Sequence, residues 1–168
     1  MHARAAARVK VRPARLEDGV ALLEIDRATW SPLSSPAPEP SPGPFFTTTT
    51  RPENVLVAEV DGRVIGWGKI QHPTTLPAST HVWHVTGLAV DPEFEGRGAG
   101  RALMEALIAE ARTRGGRRMT LRVFSANERA RRLYERLGFE LEGVLRGEFR
   151  VGEGEFVDDL LMALDLTR

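Results

Sequence analysis

The chain has 168 residues, enough for one domain with a core of its own. Its 23 basic and 23 acidic residues cancel, so no strong field draws it to nucleic acid or to an acidic membrane. It contains no cysteine, which removes disulfides, thiolate catalysis and Cys-based metal sites, and no apolar run approaches the length of a membrane span.

Residues 1–10 are rich in Ala and Arg but lack the apolar middle of a signal peptide, so a cytoplasmic protein is expected. Val9-Lys10-Val11-Arg12 alternates and predicts a first strand, stopped by Pro13. From Leu16 to Trp30, Leu16, Val20, Leu23 and Arg27 fall on one line, with Leu22, Ile25 and Ala28 beside it. That spacing predicts an amphipathic helix with Glu17 and Asp18 in its first turn. Residues 31–44 carry six prolines and cannot form a regular helix or a central strand. With Phe45-Phe46 and four threonines they make an insertion over 31–51, either a mobile linker or a functional loop.

Val55 to Val60 and Val64 to Ile70 read as strands joined by a tight turn at Asp61-Gly62. A proline-containing loop over 72–80 precedes a strand from His81 to Val90. Gly98 to Arg114 reads as a helix with Ala102, Leu103, Ala106 and Leu107 on its apolar face, stopped by Gly115-Gly116. Arg118 to Phe124 is a strand with Met119, Leu121 and Val123 on one face. Ser125 and Glu128 have capping-box spacing and open a helix bearing Ala130, Leu133, Tyr134 and Leu137. Phe139 to Arg150 and Glu155 to Leu164 form a final hairpin, which offers a surface for a homodimer. The alternation predicts an α/β (mixed α+β) fold: one domain over 1–168, a mixed sheet of six to seven strands, helices on both faces.

The strand ending at Val90 runs into Asp91-Pro92, where the missing proline N–H breaks the ladder. Gly96, Gly98 and Gly100 then bring the backbone round with its N–H groups uncovered, at the positive end of a helix. Strand, glycine turn and bare helix start make a pocket for a phosphate or pyrophosphate. A P-loop would have Lys and Ser/Thr where Arg101-Ala102 stand. A dinucleotide fingerprint is G-x-G-x-x-G; this chain has G-x-G-x-G, with Arg122 where a ribose-binding acid would stand.

Glu95-Gly96-Arg97-Gly98-Ala99-Gly100 resembles the acyl-CoA loop of the GCN5-related N-acetyltransferases, whose pattern is Gln/Arg-x-x-Gly-x-Gly/Ala; Glu95 departs from it at the first position. Asn127-x-x-Ala130-x-x-Leu133-Tyr134-x-x-Leu137-Gly138-Phe139 resembles that family's second signature, in the family's order. The resemblance implies transfer of acetyl from acetyl-CoA to an amine of a small molecule or peptide, without a metal. Acetylation of a protein N-terminus and a non-catalytic acyl-CoA sensor are the alternatives. It implies that backbone groups of Leu88, Ala89 and Val90 run along the pantetheine arm. The N–H groups of Glu95, Gly96, Arg97, Gly98, Ala99, Gly100 and Arg101 would hold the pyrophosphate. Asn127 would lie near the pantetheine or sulfur, or be an ordinary first-turn residue with Ser125 as cap. Tyr134 would point its hydroxyl at the thioester sulfur as the general acid for the leaving thiolate, against the plainer reading of a core aromatic. Some members place a basic Glu where this chain has Arg122; others place a Glu or His where it has His84, so His84 or water takes the amine proton. The insertion would form one wall of the acceptor site. Asp158-Asp159 could bind a cationic acceptor, or be in part solvated strand residues.

Overall fold

The computed structural model describes residues 8–168, so most of the segment read for a leader lies outside the described residues. Among the described residues there are seven strands and three α-helices: β1 Lys10–Pro13, α1 Gly19–Thr29, β2 Val55–Val60, β3 Arg63–Gln71, β4 Val82–Val90, α2 Ala99–Thr113, β5 Arg118–Phe124, α3 Glu128–Arg136, β6 Glu140–Gly152 and β7 Glu155–Asp165. The strands make one mixed sheet in the order β1-β2-β3-β4-β5-β7-β6. β4 and β5 are parallel, and α2 is the crossover that joins them. The chain divides into two compact units, each built from separated segments.

The first unit takes the residues up to Thr29, Ser41–Lys69 and Gly87–Leu107. Its core joins Ala14, Leu22, Ile25, Val55, Val57, Trp67 and Ala89, with Phe45 and Phe46 packed against it. The β2–β3 turn has Asp61 at φ 50° and Gly62 at φ 78°, the pair of left-handed residues that a two-residue hairpin requires. α1 buries a different line from the one expected. Leu22 and Ile25 are inside, whereas Leu16 and Val20 are 76% and 72% exposed. Leu16–Asp18 is a separate 3-10 turn, held by Asp18, whose carboxylate accepts from Arg15 N at 2.7 Å and pairs with Arg12 at 2.9 Å. The helix proper starts at Gly19, and a Cβ there would sit 3.3 Å from the Phe46 ring. The absence of a side chain at Gly19 lets that face, continued by Leu22 and Ile25, dock.

The second unit takes Trp30–Pro40, Ile70–Thr86 and Ile108–Arg168. β5 pairs with β4 from Val82↔Arg118 to Val85↔Leu121, and with β7 from Arg118↔Asp165 to Phe124↔Asp159. Met119, Leu121 and Val123 are buried as their alternation predicts, with Leu160 and Met162. The start of α3 differs from expectation. Its cap is Asn127, whose Oδ1 accepts from Ala130 N at 3.2 Å. Ser125 is occupied by β7: its N donates to Asp158 O at 2.9 Å and its Oγ accepts from Asp158 N at 3.1 Å. The chain is free to turn into a helix only after that pairing ends. In α2 the buried line is Leu103, Met104, Leu107, Ile108 and Ala111; Ala102 and Ala106 are only half-buried.

Gly87 packs directly on Trp67: a Cβ on Gly87 would lie 2.5 Å from the indole ring. Gly87→Ala should therefore destabilise the protein by about 1–3 kcal/mol, the usual range for an overpacked core. Gly43→Ala, where a Cβ would meet nothing within 4 Å, is the control. Thermal melts should show Gly87→Ala lowered by several degrees and Gly43→Ala near the parent; equal melting points would contradict the packing.

Candidate functional site

In the first unit, Leu88, Ala89 and Val90 end β4 and lead into the glycine loop. Asp91 anchors the exit: its N donates to Ile65 O at 2.8 Å, and its Oδ1 accepts from Glu93 N at 3.0 Å. Arg63 donates to Asp91 Oδ2 at 2.8 Å and lies over the Phe94 ring at 4.8 Å, with Arg97 over the same ring at 5.0 Å. These contacts fix the loop's stem. Beyond it the backbone takes left-handed values at Gly96, φ 75°, and Gly98, φ 82°, where a Cβ would meet nothing within 4 Å. Gly100 is already inside α2. Ala102 N donates to Gly98 O at 2.9 Å, closing the first turn. The N–H groups of Ala99, Gly100 and Arg101 precede that bond and have no acceptor within the helix. Such a loop can bind an anion through its backbone, with Arg97 exposed beside it. Arg101 spends its guanidinium on Glu105 at 2.7 Å.

In the second unit, His84 and Thr120 are register partners, and His84 Nδ1 lies 2.8 Å from Thr120 Oγ1. Strand alternation places Thr120, Arg122 and Phe124 on one face of the sheet. Arg122 pairs with Asp159, which is 1% exposed and keeps its Oδ1 without a hydrogen-bond partner. Burial, and then Arg122, hold His84 below the usual histidine range, while Asp159 opposes the shift. His84 is therefore a neutral imidazole at neutral pH. Asp158 Oδ1 accepts from Gly147 N at 2.8 Å. Asp159 is thus buried and paired and is no solvated strand residue, whereas Asp158 is half-buried with one oxygen on the Gly147 N–H.

Tyr134 is buried on α3, 6.0 Å from the Phe139 ring centroid, and burial pushes its hydroxyl up to about 12. Asn127 spends its side-chain oxygen on the helix start, which leaves its amide nitrogen as the group available to a ligand. His84 and Tyr134 have separate neighbours, Thr120 and Phe139. Sequence reasoning passed over Thr120; its signal is the register of two parallel strands, invisible without pairing. It also passed over a cavity of about 590 Å³ bordered by Trp30, Phe124 and Phe149. Among the described residues no group of three His, Asp or Glu side chains is placed to hold a metal ion, and no helix is long and apolar enough to cross a membrane.

The sequence profile of the Acetyltransferase (GNAT) family matches residues 20–139. An N-alpha-acetyltransferase of Sulfurisphaera tokodaii is 32% identical over 167 residues, 94% of this chain and 93% of that protein. The [ribosomal protein bS18]-alanine N-acetyltransferase of Salmonella typhimurium is 41% identical over 80 residues, 48% of this chain and 53% of its own. The chain thus spans about half the length of that relative and of its Escherichia coli counterparts. Among solved structures, yncA of Salmonella typhimurium with its cofactor acetyl-CoA shares the fold at TM-score 0.78 and 23% identity, covering 95% of each chain.

Because burial holds His84 below the usual histidine range, the protein's stability depends on pH. The unfolded chain begins to protonate histidine near pH ~6.5, where the folded protein still holds His84 neutral. The unfolded state then binds more protons, so stability falls as pH drops below about 6.5 and levels off once folded His84 is itself protonated. Denaturant melts between pH 7.5 and pH 5 should show a shallower acid loss for His84→Gln than for the parent; parallel losses would contradict the burial of a neutral imidazole.

Proposed function

The chain belongs to the GNAT acetyltransferase family, and from that premise we propose that it transfers the acetyl group of acetyl-CoA to a primary amine of a small molecule or peptide. The observation that carries the reading is Tyr134. It stands where the family's second signature has its tyrosine, and its burial keeps the hydroxyl protonated at any physiological pH. An acyl-CoA sensor would have no use for such a donor.

The loop from Glu95 to Arg101 takes the pyrophosphate on its backbone N–H groups, and Leu88, Ala89 and Val90 offer strand backbone to the pantetheine amides. The free amine attacks the thioester carbonyl; a C–N bond forms, and the C–S bond breaks as the tetrahedral centre collapses. A backbone N–H at the end of β4 stabilises the oxygen as charge builds. Tyr134, at about 12, is a weaker acid than a thiol near ~8.5. It therefore acts as a hydrogen-bond donor to the departing sulfur, and the thiolate collects its proton as solvent equilibrates. The proton lost by the amine goes through water to His84, whose neutral form is ready to accept it. Asn127 uses its amide nitrogen toward the pantetheine carbonyl. Use of acetyl-CoA supports reading it as a cytoplasmic enzyme. β6 and β7, with Leu141, Val144, Leu145 and Phe156 exposed, would supply the face of a homodimer.

A second reading is acetylation of a protein N-terminus, favoured by the likeness to the Sulfurisphaera N-alpha-acetyltransferase and the Salmonella bS18-alanine enzyme. Comparing turnover of N-terminal peptides with that of free amines separates the two.

Gly98→Val puts a branched side chain at φ 82° into the space left for the anion. Acetyl-CoA affinity should weaken by at least ~2 kcal/mol, the upper range for a charge at a helix start; calorimetry returning the parental affinity would remove the loop from the site. Tyr134→Phe keeps the ring and its packing and deletes one hydroxyl. With acetyl-CoA affinity changed by less than ~1 kcal/mol, kcat should fall by roughly 10²-fold or more, as when a donor to developing charge is lost. Retention of more than about a third of parental kcat would make Tyr134 a core residue and nothing else.

A further inference from the structure

A cavity in the second unit is bordered by three aromatic rings and three prolines. It holds about 590 Å³, the size of a site for one small ligand. Trp30, Phe124 and Phe149 supply its aromatic walls, and Pro32, Pro36 and Pro38 face them from the insertion. The walls are fixed before anything binds. Phe149 stacks on Phe124 with centroids 4.8 Å apart and planes tilted by 32°. Trp30 donates its Nε1–H to Ala37 O at 3.1 Å, which ties the indole to the prolines, themselves locked in φ. A ligand there pays little ordering entropy. Charge selects little: Arg150 and Glu153 border the cavity with opposite signs, and Arg122, two residues before Phe124, is already paired with Asp159. A polycation or polyanion finds no excess of either sign.

We infer that the acceptor is a monoamine whose carbon skeleton ends in an aromatic ring, and that the ring seats in the cavity against Trp30 and the stacked Phe124–Phe149 pair. Ring-on-ring contact is what these walls offer beyond plain burial, and it favours an aromatic group over an alkyl one of equal length. The inference rests on the acetyltransfer reading and names its substrate class. A free arylalkylamine and the N-terminal residue of a peptide beginning with Phe share this chemistry.

The test compares 2-phenylethylamine, tryptamine and Phe-Ala amide with propylamine, ethanolamine and spermidine, by thiol release from acetyl-CoA and by calorimetric binding to the full chain. The aromatic amines should exceed propylamine in kcat/KM by about tenfold or more, mostly through KM. Phe149→Ala and Trp30→Ala should abolish the difference, and Phe149→Trp should keep it while guarding against a folding artefact. A higher rate with Phe-Ala amide than with 2-phenylethylamine identifies a peptide as the source of the ring, and the reverse identifies a free amine. Equal turnover of propylamine or spermidine and 2-phenylethylamine overturns the aromatic class and leaves acetyl transfer standing. If no amine is turned over, acetyl transfer fails, and calorimetry alone decides the pocket: millimolar or tighter binding of 2-phenylethylamine lost in Phe149→Ala supports it, and no binding overturns it.

Discussion

Two parallel strands that follow one another in the chain cannot be joined by a tight turn. The end of β4 lies at the far end of the sheet from the start of β5, so a crossover must carry the chain back. Here the crossover is the glycine loop and α2, and it delivers the start of a helix directly after the end of a strand. The uncovered N–H groups that suit a pyrophosphate therefore come from topology, before any side chain is chosen. What the sequence must add is permission for the backbone to turn. Gly96 and Gly98 give it with left-handed φ, and Pro92 and Asp91 give it by ending the ladder on a capped 3-10 turn. Arg63 and Arg97 against Phe94 then hold the stem still, so that the loop is shaped in advance of its ligand.

The second unit uses buried polar groups for a different purpose. Asp159 gives up water and is compensated by Arg122, with one oxygen left unpaired. Removing Arg122 would strand the buried Asp159 carboxylate, which costs more than the pair itself contributes. The guanidinium also helps to keep His84 neutral, and Thr120 holds its ring at Nδ1. Where other members of the family are implied to carry a glutamate base, this chain has an arginine that shapes the state of the neighbouring histidine. Tyr134 is likewise kept neutral by burial and stays a phenol.

Much of this was legible beforehand, for reasons that can be named. The β2–β3 hairpin, the strand at Arg118–Phe124 and the glycine loop leave marks that survive in one dimension: Asp61-Gly62, alternation, and glycines where φ must be positive. The two signatures also placed the chain in its family, which the match over residues 20–139 and the Sulfurisphaera relative bear out. The buried face of α1 was misread because its packing starts from Gly19, a residue with no hydrophobic signal, set against Phe46 from a distant loop. Ser125 has the type and spacing of a cap, but the pairing that occupies it comes from Asp158, thirty-three residues later. Thr120 beside His84, and Phe124 beside Phe149, likewise depend on strand register, which composition and periodicity do not encode.

The central claim is that the acetyl group leaves acetyl-CoA for an amine nitrogen. It is tested most directly by incubating the full chain with acetyl-CoA carrying a ¹³C-labelled acetyl group and a mixture of primary amines, then following free thiol and labelled products together by mass spectrometry. The account predicts one labelled N-acetyl amine formed for each thiol released, with both absent when the amines are omitted. Acetyl-CoA that binds but stays intact, or labelled acetate appearing in place of an N-acetyl product, would contradict it.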